Sequence, residues 1–311
     1  MKNVFSLNKH VFFTYRLAFS VSFDKTTCKG VSRCFIELCL LQNCFKFILY
    51  FNFSVNSNMR IGLISGHQIG ELKKTQIIEV ETEYGKVFVT ASKLAKHEVF
   101  SIGRHGRESN IPPHKINYKA NIQALVDCGV KRIIALNTVG SLKNSIKPGD
   151  IVVPNDFIDF TKNRSYTFYD DRRFHIDMSN PFCPELRNLI YENAKKIKKT
   201  GVHDKGVYLV TEGPRLETIS EIRMFSNFSD IVGMTLIPEL VLAREKGLCY
   251  ASLCIVSNMA AGLQNVLKAD DIVKISKEQG DVVSKIIVST IESMGSRIKC
   301  SCREAIKGAE I

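Results

Sequence analysis

Residues 232–258 read VGMTLIPELVLAREKGLCYASLCIVSN. A short apolar strand over 230–233 runs into Met234 and Thr235. Pro238 suits the first helical position, since its ring fixes φ near the helical value and its missing N–H would be unpaired there anyway. Glu239 follows in the first turn, where a negative charge suits the positive end of the helix. Leu240 and Ala243, with Val241 beside them, form an inner face, and Gly247 is a natural stop. Residues 248–256 are apolar except for Ser252, the pattern of a strand covered on both faces. The stretch therefore predicts strand–helix–strand. Met234-Thr235 and Ser257-Asn258 leave the carboxyl ends of its strands, where open α/β sheets place ligands.

The same patterning continues on both sides. Strands are expected over 61–64, 77–80, 87–91, 99–102, 132–136, 151–153 and 206–210, and helices over 117–128, 184–198, 217–225 and 273–291. No linker rich in Pro, Gly or Ser divides this region, so a single domain over 59–311 is expected. Residues 1–58 differ from it. They hold ten of the chain's 19 Phe residues, no Pro, and only Asp24 and Glu37 as acids. Residues 34–53 come nearest to a membrane span but are interrupted by Glu37, Gln42, Asn43 and Lys46. The ordered charged, apolar and cleavage regions of a signal peptide are missing. Met59 stands directly before the first enzyme-like strand. The 58-residue extension is read as a misplaced start site, with a targeting arm as the alternative.

The chain has 311 residues, 45% of them hydrophobic, which suffices for a sizeable core. Its net charge of +12 is scattered rather than gathered into a stripe with interleaved aromatics. That argues against a nucleic-acid partner and suits an enzyme that attracts phosphate. The cysteines mostly sit in apolar runs without paired CxxC spacing, as buried thiols do in a reducing, cytoplasmic setting. Cys300-Ser301-Cys302 is the exception.

Four strand-to-loop junctions end in polar residues: Ser65-Gly66-His67-Gln68, Gly103-Arg104-His105-Gly106, Asn137-Thr138-Val139-Gly140-Ser141, and Met234-Thr235. Glycines let backbone N–H groups approach an oxyanion, hydroxyls donate to it, and arginine offers a planar charged fork. Residues 65–70 fit neither GxGxxG nor GxxxxGK[ST], which disfavours a dinucleotide or Walker loop.

Taken together these residues resemble the purine nucleoside phosphorylases, in the branch related to methylthioadenosine phosphorylase. The resemblance is carried by RHGRESNIPPHKINYKANIQAL (104–125), NTVGSLKNSIKPGDIVVPNDFIDFTKNRSYTFYD (137–170), HIDMSNPFCPELR (175–187), TEGPRLETISEI (211–222) and 232–262. It implies a single α/β domain around a twisted, partly barrel-like mixed sheet flanked by helices, assembled as a homotrimer or homohexamer. The implied reaction is phosphorolysis of an N-glycosidic bond, with inorganic phosphate as co-substrate and no metal or organic cofactor. By the family motif Arg104, His105, Thr138 and Thr235 hold phosphate, joined by Ser65 and His67 of the first loop. Met234 lies against the sugar. Leu216, Glu217 and Asn258 meet the base, and Asn258 and His105 are the residues expected to act in catalysis.

Two departures from the methylthioadenosine enzymes shape the expectation. Where they carry two aspartates, this chain has Asn258 and Ala260. After the Gly-Pro-Arg motif it reads Leu216-Glu217-Thr218. A 6-oxo purine presents an acceptor at O6 and a donor at N1–H; Asn258 complements the first and Glu217 the second. A 6-oxopurine nucleoside phosphorylase acting on inosine and guanosine is therefore expected. S-methyl-5′-thioinosine phosphorylase is the close alternative, and a catalytically silent nucleoside-binding protein is an alternative of another class. In the first loop, His67 and Gln68 replace the usual Thr or Ser between glycines; histidine there bonds phosphate best when protonated. Asp270 and Asp271 fall where related enzymes build the 5′ pocket. His175 either reaches a neighbour's site or is a plain surface residue. The Cys300–Cys302 pair resembles a CxC tail that forms a tight disulfide in some heat-stable archaeal relatives. Free thiols or an adventitious metal site are the alternatives, two ligands being too few for structural zinc. Removal of residues 1–58 is expected to leave folding intact; loss of soluble protein on trimming would defeat the start-site reading.

Overall fold

The computed structural model describes residues 58–66, 74–198, 201–264, 275, 278–295 and 299–311. The N-terminal extension, His67, Gln68, Asp270 and Asp271 lie outside these residues. The described elements run β1 (Arg60–Ser65), β2 (Lys74–Thr82), β3 (Gly85–Leu94), β4 (His97–Gly103), α1 (Tyr118–Asp127), β5 (Arg132–Ser141), β6 (Ile151–Val152) and β7 (Asp156–Phe160). They continue with α2 (Pro184–Ile197), β8 (Val202–His203), β9 (Val207–Thr211), α3 (Ile219–Phe225), β10 (Ile231–Gly233), α4 (Glu239–Glu245), β11 (Cys249–Met259) and α5 (Gly280–Glu292). Short 3₁₀ turns occupy Pro113–Lys115 and Cys302–Ile306.

The strands form one eleven-stranded mixed sheet, as expected, and β5 is its branch point. β11 runs parallel to β5 along the whole of one edge, from Cys249 opposite Arg132 to Met259 opposite Ser141. The other edge is shared. β1 pairs parallel with its first half, residues 132–135, and β10 pairs antiparallel with Gly140 and Ser141. Beyond β1 lie β4, β3 and β2; beyond β10 lie β9 and β7. One long strand thus feeds two arms of the sheet.

The opening stretch does fold as strand–helix–strand, with a different geometry from the expected unit. β10 and β11 lie on opposite edges of β5 and run antiparallel to each other. Their carboxyl ends still meet, because β10 has only three residues and sits at the carboxyl end of β5. Val232 and Asn258 are both paired with Gly140. Pro238 caps α4 instead of opening it, and Leu240, Leu242 and Ala243 are buried. Every residue of β11 is buried, as its apolar run requires. β7 and β8 were not anticipated.

Gly233 ends β10 where two strands come too close for a side chain. A Cβ there would collide with the Tyr208 hydroxyl and lie 2.8 Å from the ring carbon that bears it. That hydroxyl is buried and finds no hydrogen-bond partner among the described residues. Gly233→Ala is expected to cost about 1–3 kcal/mol of stability through overpacking, read by urea denaturation. Adding Tyr208→Phe removes the first colliding atom and is expected to restore part of the loss; no recovery would place the strain elsewhere.

Candidate active site

The ends of β1, β4, β5, β10 and β11 bring their loops together. β1 and β4 finish in register, Ser65 beside Gly103, and the Arg104 N–H donates to the Ser65 carbonyl at 2.8 Å. The first two predicted loops are therefore neighbours. His105 Nδ1 lies 2.8 Å from the Ile111 carbonyl. A carbonyl only accepts, so Nδ1 carries the proton in this bond, which makes Nε2 the acceptor of the neutral ring. The Nε2 edge lies over the first loop, 3.6 Å from where a Cβ on Gly66 would stand.

Arg104 was expected to offer its fork to phosphate, and here the structure differs. The residue is 2% exposed, and its Nε and Nη2 donate to the two carboxylate oxygens of Glu239 at 2.8 and 3.0 Å. Nη1 donates to the Leu136 carbonyl at 2.7 Å. Glu239 is fully buried and also accepts from the Tyr250 hydroxyl at 2.7 Å. Burial works against the arginine's charge, but the Glu239 charge and its hydrogen bonds outweigh burial and hold the guanidinium pKa above its ordinary value. Glu239 is thus more than a helix-dipole residue; it occupies the bidentate face that the sequence reading assigned to phosphate.

Thr138 also stands differently from expectation. Side chains alternate along a strand, and the one that reaches Thr235 belongs to its neighbour Asn137. The Asn137 amide nitrogen donates to Thr235 Oγ1 at 2.9 Å, and its oxygen accepts from Ser252 Oγ at 2.7 Å. Thr138 projects to the opposite face of β5. Because Thr235 Oγ1 accepts from Asn137, its own hydrogen is directed to another acceptor. Sequence reading missed Asn137 and Ser252; the polar interruptions at 137 and 252 in otherwise apolar runs were the available signal.

Arg164 was missed as well. It is 8% exposed, and its guanidinium gathers four main-chain carbonyls from two loops. Nη1 donates to Met234 and Ile237 at 2.7 and 2.6 Å, and Nη2 to Thr211 and Glu212 at 3.3 and 2.7 Å. The loop after β9 and the loop after β10 are thereby held side by side. Met234 completes the join, since a Cβ on Gly213 would stand 2.6 Å from its sulfur. No pattern in the sequence separates Arg164 from the other scattered cations.

Glu217 and Asn258 come from adjoining segments. A Cβ on Gly262, just past β11, would stand 2.9 Å from Ile219, just past Glu217, and Ala260 joins Ile222 in one apolar cluster. Asn258 is 7% exposed. Its Nδ2 donates to the Met259 carbonyl at 2.9 Å and its Oδ1 accepts from Ser257 Oγ at 2.6 Å. The carbonyl can only accept, which settles which end of the amide is nitrogen. One N–H and one lone pair remain. Glu217 Oε1 accepts from Thr211 Oγ1 at 2.6 Å. No hydrogen bond joins Glu217 to Asn258 among the described residues. Leu216 is 43% exposed on the same loop. His175 is exposed, in a segment bridged to the C-terminus by Phe174 and Glu310.

The sheet and these converging loops define a phosphorylase-type α/β enzyme, and the sequence profile described as Phosphorylase superfamily matches residues 60–292. The chain belongs to that superfamily. It is 48% identical over 256 residues to a probable S-methyl-5′-thioinosine phosphorylase of Methanocaldococcus jannaschii, covering 81% of this chain and 99% of the relative. It is 44% identical over 256 residues to a probable 6-oxopurine nucleoside phosphorylase of Dictyoglomus turgidum, covering 80% and 97%. Among solved structures, methylthioadenosine phosphorylase from Schistosoma mansoni in complex with tubercidin superposes with a TM-score of 0.76 at 30% identity. That match covers 81% of this chain and 99% of the other.

Arg164→Lys keeps the charge, but a single ammonium cannot face carbonyls of two loops in one plane. Nucleoside affinity is expected to fall about tenfold or more, a loss of roughly 1.4 kcal/mol, with the melting temperature lowered. Calorimetric titration with nucleoside, beside a thermal melt, checks this; unchanged affinity would show that the two loops hold their positions without the clamp.

Proposed function

We propose that the chain catalyses phosphorolysis of 6-oxopurine nucleosides, inosine and guanosine, to the free base and ribose 1-phosphate, as a step of purine salvage. Phosphate attacks C1′ of the ribose while the purine departs, through a transition state with oxocarbenium character. The enzyme's task is to hold the anion in line and to stabilise charge developing on the leaving base. The observation that carries the choice of base is the Asn258 amide. Ser257 and the Met259 carbonyl orient it, with one N–H and one lone pair to spare. The spare N–H suits O6 of a 6-oxo purine, and the lone pair suits the hydrogen arriving at N7. Glu217 accepts from N1–H with the oxygen that Thr211 leaves unused.

At the phosphate, Thr235 donates its hydroxyl hydrogen, His105 acts through its Nε2 edge, and Ser65 and His67 contribute from the first loop. Arg104 contributes the field of a buried cation largely offset by Glu239. Inorganic phosphate is the nucleophile, so the reaction itself requires no metal or organic cofactor. A cytoplasmic homo-oligomer, trimer or hexamer, is part of the reading. Self-association is supported by Leu216, Ile219, Met224 and Phe228, large apolar side chains left 43–70% exposed on one loop–helix segment. Among the described residues no helix is long and apolar enough to cross a membrane.

A second reading, S-methyl-5′-thioinosine phosphorolysis, shares the same base and differs only at the 5′ substituent. The name of the Methanocaldococcus relative favours it. Phosphate-dependent release of base from inosine, guanosine, methylthioinosine and adenosine separates the readings. Hypoxanthine release with inosine preferred to methylthioinosine is expected. Preference for adenosine would overturn the pocket argument, and binding without turnover would indicate a silent nucleoside binder. Asn258→Asp is expected to raise relative use of 6-amino substrates about tenfold or more, since a carboxylate accepts from an exocyclic amine and repels O6. An unchanged ratio would mean that residue 258 does not read the base.

A further inference from the structure

We infer that Cys183, Cys249, Cys300 and Cys302 form a four-thiolate site for a structural zinc ion, well away from the catalytic loops. The four sulfurs lie within 4.8 Å of one another. Cys300 Sγ stands 3.5 Å from Cys183 Sγ and 3.3 Å from Cys249 Sγ. Tetrahedral zinc with Zn–S bonds of about 2.3 Å has sulfur-to-sulfur edges of about 3.8 Å, so small shifts of these side chains close the shell. One sulfur with two equally near sulfur neighbours is the arrangement a central ion needs; a disulfide needs only one neighbour. Four thiolates with no open position are a ligand set suited to structural zinc, and thiolates select soft or borderline metals.

Three distant parts of the chain converge on the cluster. Cys183 is the N-cap of α2, and its sulfur accepts the Leu186 N–H at 3.4 Å. The positive end of a 14-residue helix favours the thiolate form. Cys249 opens β11, opposite Arg132 on β5. Cys300 and Cys302 follow α5, and Cys302 begins the second 3₁₀ turn. Glu185 organises the surroundings: it accepts from the Lys299 and Cys300 N–H groups at 2.9 and 3.3 Å and from Arg132 Nη2 at 2.7 Å. Zinc with four thiolates carries an excess of two negative charges; Arg132, fully buried and paired with Glu185, stands opposite Cys249 in the sheet.

The two cysteines of the CxC tail alone are too few for structural zinc; the fold supplies the other two from residues 117 and 51 positions away. The site ties the chain after α5 to the start of β11. Asn258 stands nine residues further along that strand, roughly 30 Å away at the usual rise, so the role is structural. Binding releases the thiol protons as the metal enters, and its free energy adds to folding.

The full chain, purified without air and with a thiol reductant, is expected to carry about one zinc per chain by elemental analysis. Cobalt exchanged into the site is expected to show the intense visible bands of a tetrahedral ion together with sulfur-to-cobalt charge transfer. The Cys300→Ser, Cys302→Ser double variant is expected to lose the metal and melt several degrees lower, with base release at moderate temperature unchanged. Four reduced, metal-free thiols in the wild-type protein would overturn the assignment, as would disulfides among the four or a zinc content that the double variant leaves intact. The wild-type measurements decide the matter even if the variant does not fold, and none of them depends on which nucleoside is the substrate.

Discussion

Four carbonyls turned inward on one guanidinium hold two neighbouring segments of this protein side by side. Loops that line a site carry main-chain groups without strand or helix partners, and a buried carbonyl left unpaired costs free energy. The loops after β9 and β10 share one solution. Thr211 and Glu212 on one side, and Met234 and Ile237 on the other, all accept from Arg164. Arginine suits this role because its donors lie in one plane and its charge stays on through the ordinary pH range. The segment that carries Glu217 and the segment that carries Met234 and Thr235 are thus positioned as one unit. Met234 packed on Gly213 then removes the remaining slack.

Behind the clamp, two sets of buried polar side chains bond to one another and fix the elements around them. Glu239 receives Arg104 and Tyr250 and fixes the start of α4 against β4 and β11. A buried ion pair of this kind is weak evidence for stability, because desolvation of both charges offsets their attraction. It does fix geometry, since removing either partner would leave an unpaired buried charge. The chain Ser252–Asn137–Thr235 works at lower cost with neutral groups. Each bond in it sets the direction of the next, and the last hydroxyl keeps its own hydrogen to donate.

The sheet was legible wherever a continuous apolar run leaves no alternative to burial. β1, β5 and β11 were found for that reason, although β5 and β11 run several residues past the apolar stretch into Ser141 and Met259. β7 reads DFIDF and has no fully buried residue, and β8 has two residues, so neither leaves a periodic trace. The direction of β10 was beyond reach because a three-residue strand carries no record of which edge it will join. In the site, residue types were legible and partners were not. Arg104 looks like an anion ligand until Glu239, 135 positions later, is seen to fill its fork. Thr138 looks like the hydroxyl of its loop until strand alternation turns Asn137 to Thr235 instead. Cys183 and Cys249 gave no sign of each other or of the tail, because pairing at such separations is set by the sheet.

The amide at 258 is oriented by a main-chain group. Asn258 Nδ2 donates to the Met259 carbonyl at 2.9 Å, and that carbonyl cannot return a hydrogen. A carboxylate in the same pose would set two acceptors face to face at a residue only 7% exposed, so it must rotate away or take up a proton. Either response changes the hydrogen-bonding pattern that residue 258 presents. At Ala260 the constraint is apolar: the residue is buried with Leu142, Ile222 and Val232, and a charged side chain there would lose its water with no partner supplied. The two positions therefore act together. An amide at 258 is compatible with an apolar residue at 260, because a neutral group needs no charged partner beside it. The hydrogen the amide has left to give would suit an exocyclic oxygen better than an exocyclic amine, which is the basis of the proposed base preference.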